Sequence, residues 1–204
     1  TAAGLAAGLH ALATGSDGGG SIRIPASLCG VYGIKPSQGR VARPYYPPGG
    51  WRPFSQNGPL SNNVRDSAIL LGVMAGPDAS DPPAMPGPVP DFTANLDAGV
   101  RGLRIGWSPD LGGLAVDPEI REVTEKAVAV FEELGATVEQ ADVELDHELV
   151  LETFDTIWIT DMVATSAKFL ANDADALTPS LRQQLERGAT WPASRLALAL
   201  RELE

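Results

Sequence analysis

The spacing of apolar and polar residues predicts short elements at the beginning of the chain. Residues 2–12 are small and helix-forming, and LHALAT at 9–14 predicts a short strand that leads into a glycine run. The apolar segment PASLCGVYG at 25–33 predicts one or two helical turns. GIKPSQGRV at 33–41 then predicts a strand and a turn.

Proline and glycine interrupt the pattern twice in the next part of the chain. Residues 42–59 combine both residue types with aromatics and predict an irregular, ordered loop. Apolar positions at helical spacing over 63–74 predict a helix with Ser61 or Asn62 as its N-cap. The acidic, proline-rich stretch at 76–99 predicts a surface crossing rather than a linker between domains.

A strand, a helix and a second strand follow in that order. LRIGWS at 103–108 alternates as a buried strand. Asp117 caps the next helix, Pro118 takes its first position, and the helix ends at Gly135. ATVEQADVEL at 136–145 alternates as the second strand. This succession is typical of a βαβ unit, so we predict the α/β class, layered as α/β/α with a mixed sheet.

The last part of the chain has a helical pattern. It runs from Glu148 to Glu204 and is broken before Pro179 and before Pro192. The sequence contains no internal repeat, and we predict that residues 1–204 form one partial domain.

Composition narrows the classes of function. The chain has 204 residues, 44% of them hydrophobic and 20% charged, which suits a globular protein with a sizeable core. Its formal net charge of −11 argues against nucleic acid and anionic membrane surfaces as partners. No apolar run approaches the roughly 20 residues that span a bilayer. The opening TAAGLAAGLHA, without a methionine or a charged leader, resembles a cut end.

The sequence contains one cysteine, Cys29. A single cysteine cannot form an internal disulfide, which favours a reducing, cytoplasmic location. Its surroundings, LCGVYG, hold no adjacent base, so we interpret this residue as structural rather than nucleophilic.

The most informative segment is TGSDGGGSIRIPAS at 14–27. Gly18, Gly19 and Gly20 stand directly before Ser21, and apolar segments flank the run on both sides. Flanks of this kind are not those of a solvated tether, so the glycines belong inside the domain. They form either a structural turn or, as we favour, a loop whose N–H groups point at a ligand.

Several familiar sites do not fit this loop. A serine nucleophile needs a base, but neither His10 nor His147 has the spacing of a hydrolase triad, and we interpret both as structural. The sequence also lacks a G-x-S-x-G elbow, a G-K-[ST] phosphate loop and a cluster of metal ligands. What remains is a run of N–H groups that binds a developing oxyanion, with the nucleophile at its end.

The segment around Ser21 resembles the core motif of the amidase signature family, G-[TS]-D-x-G-G-S-[IV]-R-x-P-A. The resemblance extends through GIKPSQGRV, NGPLSNNVRDSAILLGVMAGPD and LRIGWSPDL, and more weakly through VDPEIREVTEKAVAVFEELGATVE. It covers roughly the first two thirds of the chain and implies part of an amidase signature fold.

The resemblance implies roles for the residues of the loop. Ser21 matches the family's nucleophile. The family's oxyanion hole matches the backbone N–H groups of Gly18, Gly19, Gly20 and Ser21. Position 18 more often carries Thr, Ile or Ser in the family, so Gly18 is a departure, although one that leaves the backbone donors in place.

Asp17 and Arg23 match charged residues that brace the family's loop, and a buried bidentate pair is a physical reason to keep both. By the same resemblance, the bridging cis-serine and the catalytic lysine fall upstream of Thr1. Lys35 belongs to the GIKP strand, which the family carries in addition to its catalytic lysine, and we interpret it as structural. The resemblance therefore implies an internal piece of an amidase that needs neither a metal nor a cofactor.

For an intact enzyme, the resemblance implies a Ser–cisSer–Lys mechanism. A neutral lysine takes a proton through the cis-serine, Ser21 attacks the amide carbonyl, and water then resolves the acyl-enzyme. The implied partners are a small-molecule amide substrate and the remaining parts of the amidase chain, with a homodimer left open.

Two other functions stay open. The glutaminase subunit of the aminoacyl-tRNA amidotransferases typically has glutamine where this chain has Ile24 and a YGL-type segment in place of ARPYYPPGG, so we favour a stand-alone amidase. The second alternative is a non-catalytic α/β interaction module. An apolar acyl pocket and simple loop packing are equally compatible with the aromatic residues Tyr45, Tyr46, Trp51 and Phe54.

Overall fold

The computed structural model describes residues 1–44 and 51–203. The chain divides into two compact units, Thr1–Leu96 with Thr156–Glu204 as unit 1 and Asp97–Asp155 as unit 2. Both units combine helices with strands, which confirms the predicted α/β class. Among the described residues no helix is both long enough and apolar enough to cross a membrane.

The elements alternate through most of the chain and become purely helical at its end. In chain order they are α1 (Ala2–Ala6), β1 (Leu12–Asp17), α2 (Arg23–Cys29), β2 (Tyr32–Gly33), β3 (Gln56–Ser61), α3 (Val64–Met74), β4 (Arg104–Trp107), α4 (Pro118–Glu133), β5 (Thr137–Gln140), α5 (His147–Asn172), a 3-10 turn (Ala174–Ala176), α6 (Pro179–Ala189) and α7 (Ala193–Arg201).

Unit 1 is built on a three-stranded antiparallel sheet in which β3 is central. β1 pairs with β3 along its whole length, from Leu12 opposite Ser61 to Asp17 opposite Gln56, and β2 pairs with the other side of β3. β1 begins three residues later than LHALAT predicts and continues to Asp17. The sheet therefore delivers the chain directly to the glycine run.

The core of unit 1 lies where α1 and α2 pack against the sheet. Its buried members are Ala2, Leu5, Ile22, Ala26 and Leu60. Burying a large aliphatic side chain stabilises a fold by about 1.5–3 kcal/mol. Ile22 is completely buried and directly follows Ser21, so the core fixes the chain at the end of the glycine run.

The central strand β3 departs from the sequence prediction. The irregular loop predicted for 42–59 overlaps β3. The sequence did not indicate this strand because glycine and proline are poor strand formers and NGP is typical of a turn. In the structure the carbonyl of Pro59 accepts a hydrogen bond from the N–H of Ile34 at 3.1 Å. A Cβ at Gly58 would overlap the carbonyl oxygen of Ile34 and lie 2.8 Å from Cδ of Pro36. This close approach of two backbones is what requires the glycine.

The N-cap of α3 is Asn63 rather than Ser61 or Asn62. The Asn63 side chain accepts a hydrogen bond from the N–H of Asp66 at 2.9 Å. The Ser61 hydroxyl is engaged elsewhere, 2.6 Å from the Asn63 carbonyl oxygen and 2.7 Å from the Ser67 hydroxyl. Because Ser61 is buried in the last position of β3, it is not available as a cap.

Two predicted strands are shorter in the structure. Of the segment 33–41, only Gly33 lies in a strand, at the end of β2, and Val41 forms a single parallel bridge with Gly76. β5 ends at Gln140, short of the predicted boundary at 145. β4, the partner of β5, ends at Trp107 opposite Gln140, so the ladder has no further residues with which β5 could pair.

Unit 2 contains the predicted βαβ arrangement. β4 and β5 pair in parallel, with α4 between them in sequence. Asp117 caps α4 by accepting a hydrogen bond from the N–H of Glu119 at 2.9 Å, and Pro118 is its first residue. Gly135 follows the helix with a φ of +92°, the left-handed conformation that favours glycine. β4 alternates between exposed and half-buried residues and is not buried as predicted.

The predicted breaks in the C-terminal helical region are confirmed. Pro179 is the first residue of α6, and Pro192 is the N-cap of α7. Gly188 lets α6 approach α5 closely, because a Cβ at this position would overlap Cγ2 of Ile159 and lie 2.9 Å from Cγ2 of Val163.

We predict that Gly58→Ala destabilises the protein by about 1–3 kcal/mol, the usual cost of overpacking. The added methyl group would force the backbone at Ile34 away from β3. Gly72→Ala is the matched control, because Gly72 lies in α3 with open space around its Cα. Alanine is the better helix former, so this variant should be neutral or slightly stabilised. Thermal unfolding followed by circular dichroism compares the two, and equal melting temperatures for both variants would contradict the assignment of β3.

Candidate active site

Ser21 lies in the short connection between the end of β1 and the start of α2. Its side chain is exposed, whereas Ile22 beside it is completely buried. The N–H of Ile24 donates to the carbonyl of Gly20 at 2.7 Å and closes the turn. The serine is therefore accessible while the backbone on its C-terminal side is held by the core.

Asp17 organises this connection. Its carboxylate is completely buried and accepts five hydrogen bonds from the next six residues. Three come from backbone N–H groups, those of Gly20 at 2.7 Å, Ile22 at 3.1 Å and Arg23 at 3.1 Å. The other two come from the Arg23 guanidinium, whose Nε and Nη2 each lie 2.9 Å from a different carboxylate oxygen. The Asp17–Arg23 contact is thus bidentate, but only its carboxylate is buried, since the Arg23 side chain is 56% exposed.

The hydrogen bonds keep Asp17 ionised despite its burial. Burial by itself would raise the pKa of the Asp17 carboxyl. The side-chain hydrogen bonds from Arg23, and the backbone N–H groups of Arg23, Gly20 and Ile22, outweigh it and hold the pKa well below its ordinary value of 3.8. The same side-chain hydrogen bonds raise the pKa of Arg23. The loop is thus braced by a full negative charge at any pH near neutrality.

The carboxylate of Asp17 also acts as the cap of α2. The residue at the N-cap position is Ile22, whose side chain has no hydrogen-bonding group. Asp17 supplies the missing acceptor from five residues upstream, because it binds the N–H groups of both Ile22 and Arg23. Strand, loop and helix are therefore tied to one side chain.

Of the three glycines before Ser21, Gly20 is the one whose backbone conformation other residues rarely adopt. Its φ of +117° lies in a region that residues with a side chain rarely adopt, and neither Gly18 nor Gly19 has a positive φ. A Cβ at Gly20 would also lie 2.5 Å from Cδ1 of Ile24. The N–H of Gly20 is turned inward to Asp17. Within the part of the chain that the structure describes, no hydrogen bond uses the N–H groups of Gly18, Gly19 or Ser21.

Gly18 has a different reason to be glycine, one that the sequence pattern does not indicate. A Cβ at this position would overlap Nε1 of Trp51 and lie 2.7 Å from its Cε2. The Trp51 indole is 7% exposed. It stacks on Phe54, with ring centroids 4.7 Å apart, and meets Trp158 of α5 edge-on at 4.6 Å. The sequence offered one signal, since by the resemblance described above Gly18 is a departure from the residues usual at this position.

The aromatic residues at 45–54 are therefore only partly accounted for. Trp51 and Phe54 pack as described above, whereas Tyr45 and Tyr46 lie outside the described residues. Arg52, next to Trp51, forms an ion pair with the buried Asp81. The backbone N–H of Arg43 donates to the same carboxylate at 2.7 Å. Asp81 thus holds the chain on both sides of residues 45–50.

Among the described residues, no hydrogen bond links the other candidate residues from the sequence to this site. His10 is exposed, and its Nε2 lies 3.2 Å from the carbonyl oxygen of Thr1. His147 begins α5, and Cys29 packs against the core of unit 1. In residues 1–44 and 51–203, no hydrogen bond or ion pair involves Lys35. The same residues contain no group of three or more His, Cys, Asp or Glu side chains that could hold a metal ion.

Comparison with curated proteins gives relatives of two kinds. The acylamidase of Rhodococcus erythropolis is 44% identical over 139 residues, which are 68% of this chain and 29% of that protein. One component of the glutamyl-tRNA(Gln) amidotransferase of Cyanothece sp. is 44% identical over 140 residues, which are 69% of this chain and 29% of that component. The chain thus spans less than a third of the length of these curated relatives.

Solved structures resemble almost the whole chain. A bacterial aryl acylamidase of the amidase signature family has a TM-score of 0.86 and 30% identity, covering 97% of this chain and 42% of its own. The 6-aminohexanoate cyclic dimer hydrolase, complexed with substrate, has a TM-score of 0.82 and 26% identity, covering 99% of this chain and 44% of its own.

A family model also matches, and its match extends well beyond the glycine loop. This model, described as Amidase, aligns with residues 1–197, which include the Asp17–Ser21 connection, α6 and the first half of α7. Together with the similarity to a solved amidase signature enzyme, it shows that this chain belongs to the amidase signature family.

Proposed function

We propose that residues 1–204 are the nucleophile-bearing part of an amidase, a hydrolase that converts a carboxylic amide into an acid and an amine or ammonia. The observation that carries the proposal is the geometry at Ser21. An exposed serine follows a glycine run whose C-terminal end is held by the buried, ionised carboxylate of Asp17. A preorganised backbone of this kind lowers the barrier to acyl transfer without reorganising during the reaction.

Ser21 is the proposed nucleophile, and its Oγ attacks the amide carbonyl carbon. The carbonyl oxygen becomes an oxyanion, for which we propose the N–H groups of Gly18, Gly19 and Ser21 as donors. Gly20 was expected among these donors, but its N–H already donates to Asp17, so we assign it to bracing. One oxyanion donor is typically worth about 3 kcal/mol of transition-state stabilisation.

The proton relay is proposed to lie outside these 204 residues. In the Ser–cisSer–Lys mechanism, a neutral lysine accepts the Ser21 proton through the cis-serine, which then protonates the leaving amine. Water hydrolyses the acyl-enzyme by the reverse transfers, and no metal or cofactor takes part. Lys35 has no hydrogen bond among the described residues and is proposed to be structural. The chain by itself should therefore be inactive.

The curated relatives are compatible with two kinds of amidase function. An acylamidase and a component of a glutamyl-tRNA(Gln) amidotransferase match equally well, at 44% identity. We favour a stand-alone amidase for a small-molecule substrate because of Ile24 and because the net charge of −11 disfavours a nucleic-acid partner. A cytoplasmic location is a further part of the proposal, a homodimer stays open, and a non-catalytic interaction module is the alternative from another class.

The first test is covalent labelling of the amidase polypeptide that contains these residues. A fluorophosphonate should form a bond between its phosphorus and Ser21 Oγ with loss of fluoride, and peptide mass spectrometry locates the adduct. Ser21→Ala should abolish labelling and reduce amide turnover by several orders of magnitude. Ser27→Ala is the control, because Ser27 is an exposed serine of α2, and it should be labelled at Ser21 like the wild type. Labelling that survives in Ser21→Ala would exclude the proposed nucleophile.

The second test addresses the Asp17 carboxylate, which braces the loop. Asp17→Asn removes the charge that binds Arg23 and leaves fewer acceptors for the N–H groups of Gly20 and Ile22. Losing charge-assisted and buried hydrogen bonds costs about 2–3 kcal/mol, so we expect a lower melting temperature and a kcat reduced by about 100-fold. Asp78→Asn, at an exposed carboxylate that accepts hydrogen bonds from Ser80, should change neither. Wild-type kcat in Asp17→Asn would refute the role given to the brace.

The pH dependence of stability follows from the lowered pKa of Asp17. Unfolding returns this carboxyl to its ordinary pKa, so its stabilising contribution is complete above about pH 4 and decreases as the pH falls further. The difference in melting temperature between wild type and Asp17→Asn should therefore be constant from pH 8 to 5 and shrink below about 4. A difference that already disappears between pH 7 and 5 would mean that the pKa is raised instead.

The third test uses the left-handed glycine. Gly20→Ala places a Cβ at an unfavourable φ and against Ile24, directly before the nucleophile, so labelling of Ser21 should slow by at least about 10-fold. Gly113→Ala is matched in backbone strain, with a φ of +104° in unit 2, but has open space around it. This control should lose stability without losing the labelling rate. If both variants label at the wild-type rate, the conformation of Gly20 does not matter for the nucleophile.

A further inference from the structure

Asp17 braces only one side of the glycine run. Its hydrogen bonds reach Gly20, Ile22 and Arg23, and none of them holds Gly18. The Gly18 peptide group therefore needs a second restraint if its N–H is to point at a fixed place. Glycine is the residue with the most conformational freedom, so a free loop at this position would be entropically costly to order in each catalytic cycle.

The indole of Trp51 occupies the space where a side chain at position 18 would be. A Cβ on Gly18 would overlap Nε1 and lie 2.7 Å from Cε2 and 3.0 Å from Cζ2 of Trp51. These atoms belong to one edge of the ring, so the indole lies directly against the Gly18 backbone. The contact exists only because residue 18 is glycine.

The Trp51 indole is itself held from several directions. Phe54 stacks on it with 25° between the ring planes, and Trp158 meets it edge-on at 71°. Aromatic pairs in such arrangements contribute about 0.5–1.5 kcal/mol each beyond area burial. Trp158 lies between Ile157 and Ile159, which are 1% and 2% exposed, so its position on α5 is fixed by buried neighbours.

The backbone that carries Trp51 is fixed as well. The Trp51 carbonyl accepts hydrogen bonds from the N–H groups of Phe54 at 3.2 Å and Ser55 at 3.3 Å. The next residue, Arg52, is paired with Asp81, which is 3% exposed. A ring with this support does not rotate away easily, and it restricts the movement of the Gly18 backbone.

We propose that Trp51 is a positioning residue for the Gly18 peptide group, and that Gly18 is glycine in order to admit the Trp51 indole. The inference rests on the proposed function, because it gives Gly18 N–H a place in the oxyanion hole. Asp17 then fixes the C-terminal side of the run and Trp51 its N-terminal side. Through Trp158, the helical segment at the end of the chain supports the same loop.

The test is a double-mutant cycle in the amidase polypeptide that contains residues 1–204. Gly18→Thr introduces a β-branched side chain where the indole lies, and we expect kcat to fall by at least 100-fold and the melting temperature to drop. Trp51→Ala removes the indole that lies against Gly18. We expect kcat to fall by about 10- to 100-fold and KM to change by less than about threefold, since a positioning residue acts mainly in the transition state.

The combined variant gives the decisive result. In Trp51→Ala/Gly18→Thr the threonine has room, so kcat should be at least 10-fold higher than in Gly18→Thr alone, and the melting temperature should partly recover. Losses in kcat that simply multiply would overturn the proposal. So would a Trp51→Ala enzyme with the wild-type kcat, or one whose loss lies entirely in KM.

Two further variants guard against unfolding as the explanation. Trp51→Phe keeps a ring beside Phe54 and should show a smaller loss of kcat than Trp51→Ala. Trp191→Phe is the matched control, because Trp191 stacks on Arg195 at 4.3 Å and should leave kcat unchanged. If Trp191→Phe loses as much activity as Trp51→Phe, the effect is general and the proposal fails. A wild-type polypeptide that is neither labelled nor active would instead overturn the proposed function, and this inference with it.

Discussion

The buried carboxylate of Asp17 is the group on which the rest of this region depends. It accepts hydrogen bonds from three backbone N–H groups and a guanidinium within six residues of itself, and these donors belong to the loop and to the first turn of α2. Burying a charge is costly unless it is paired and hydrogen-bonded, and here both conditions hold. Since β1 places Asp17 and the core places Ile22, the loop between them is held at both of its ends.

The three glycines before Ser21 differ in what they do. Gly20 adopts a conformation that other residues avoid, and its N–H binds the brace. Gly18 has an ordinary φ and instead makes room for the Trp51 indole. In the proposed mechanism, Gly18 and Gly19 keep their N–H groups for the oxyanion. A run that looks uniform in the sequence thus combines a turn, a packing contact and a row of donors.

Local signals predicted much of this structure. The cap at Asp117, the stop at Gly135 and the prolines at 179 and 192 act on neighbouring residues, and the structure confirms each. The Asp17–Arg23 pair spans only six residues and was likewise expected. β3 and the Gly18–Trp51 contact were missed because they depend on residues distant in sequence. Pro59 and Gly58 fit a strand only beside Ile34, and nothing in the letters around Trp51 indicates that its ring lies against Gly18.

A direct observation can separate the N–H group that binds Asp17 from the N–H groups proposed to bind the oxyanion. The measurement is a crystal structure of the amidase polypeptide with a phosphonate bonded to Ser21. We predict that the phosphonyl oxygen lies about 2.7–3.1 Å from N–H groups of Gly18, Gly19 or Ser21, with the Gly20 N–H still bound to Asp17. An adduct whose oxygen takes the Gly20 N–H from Asp17, or points away from the glycine run, would contradict the account.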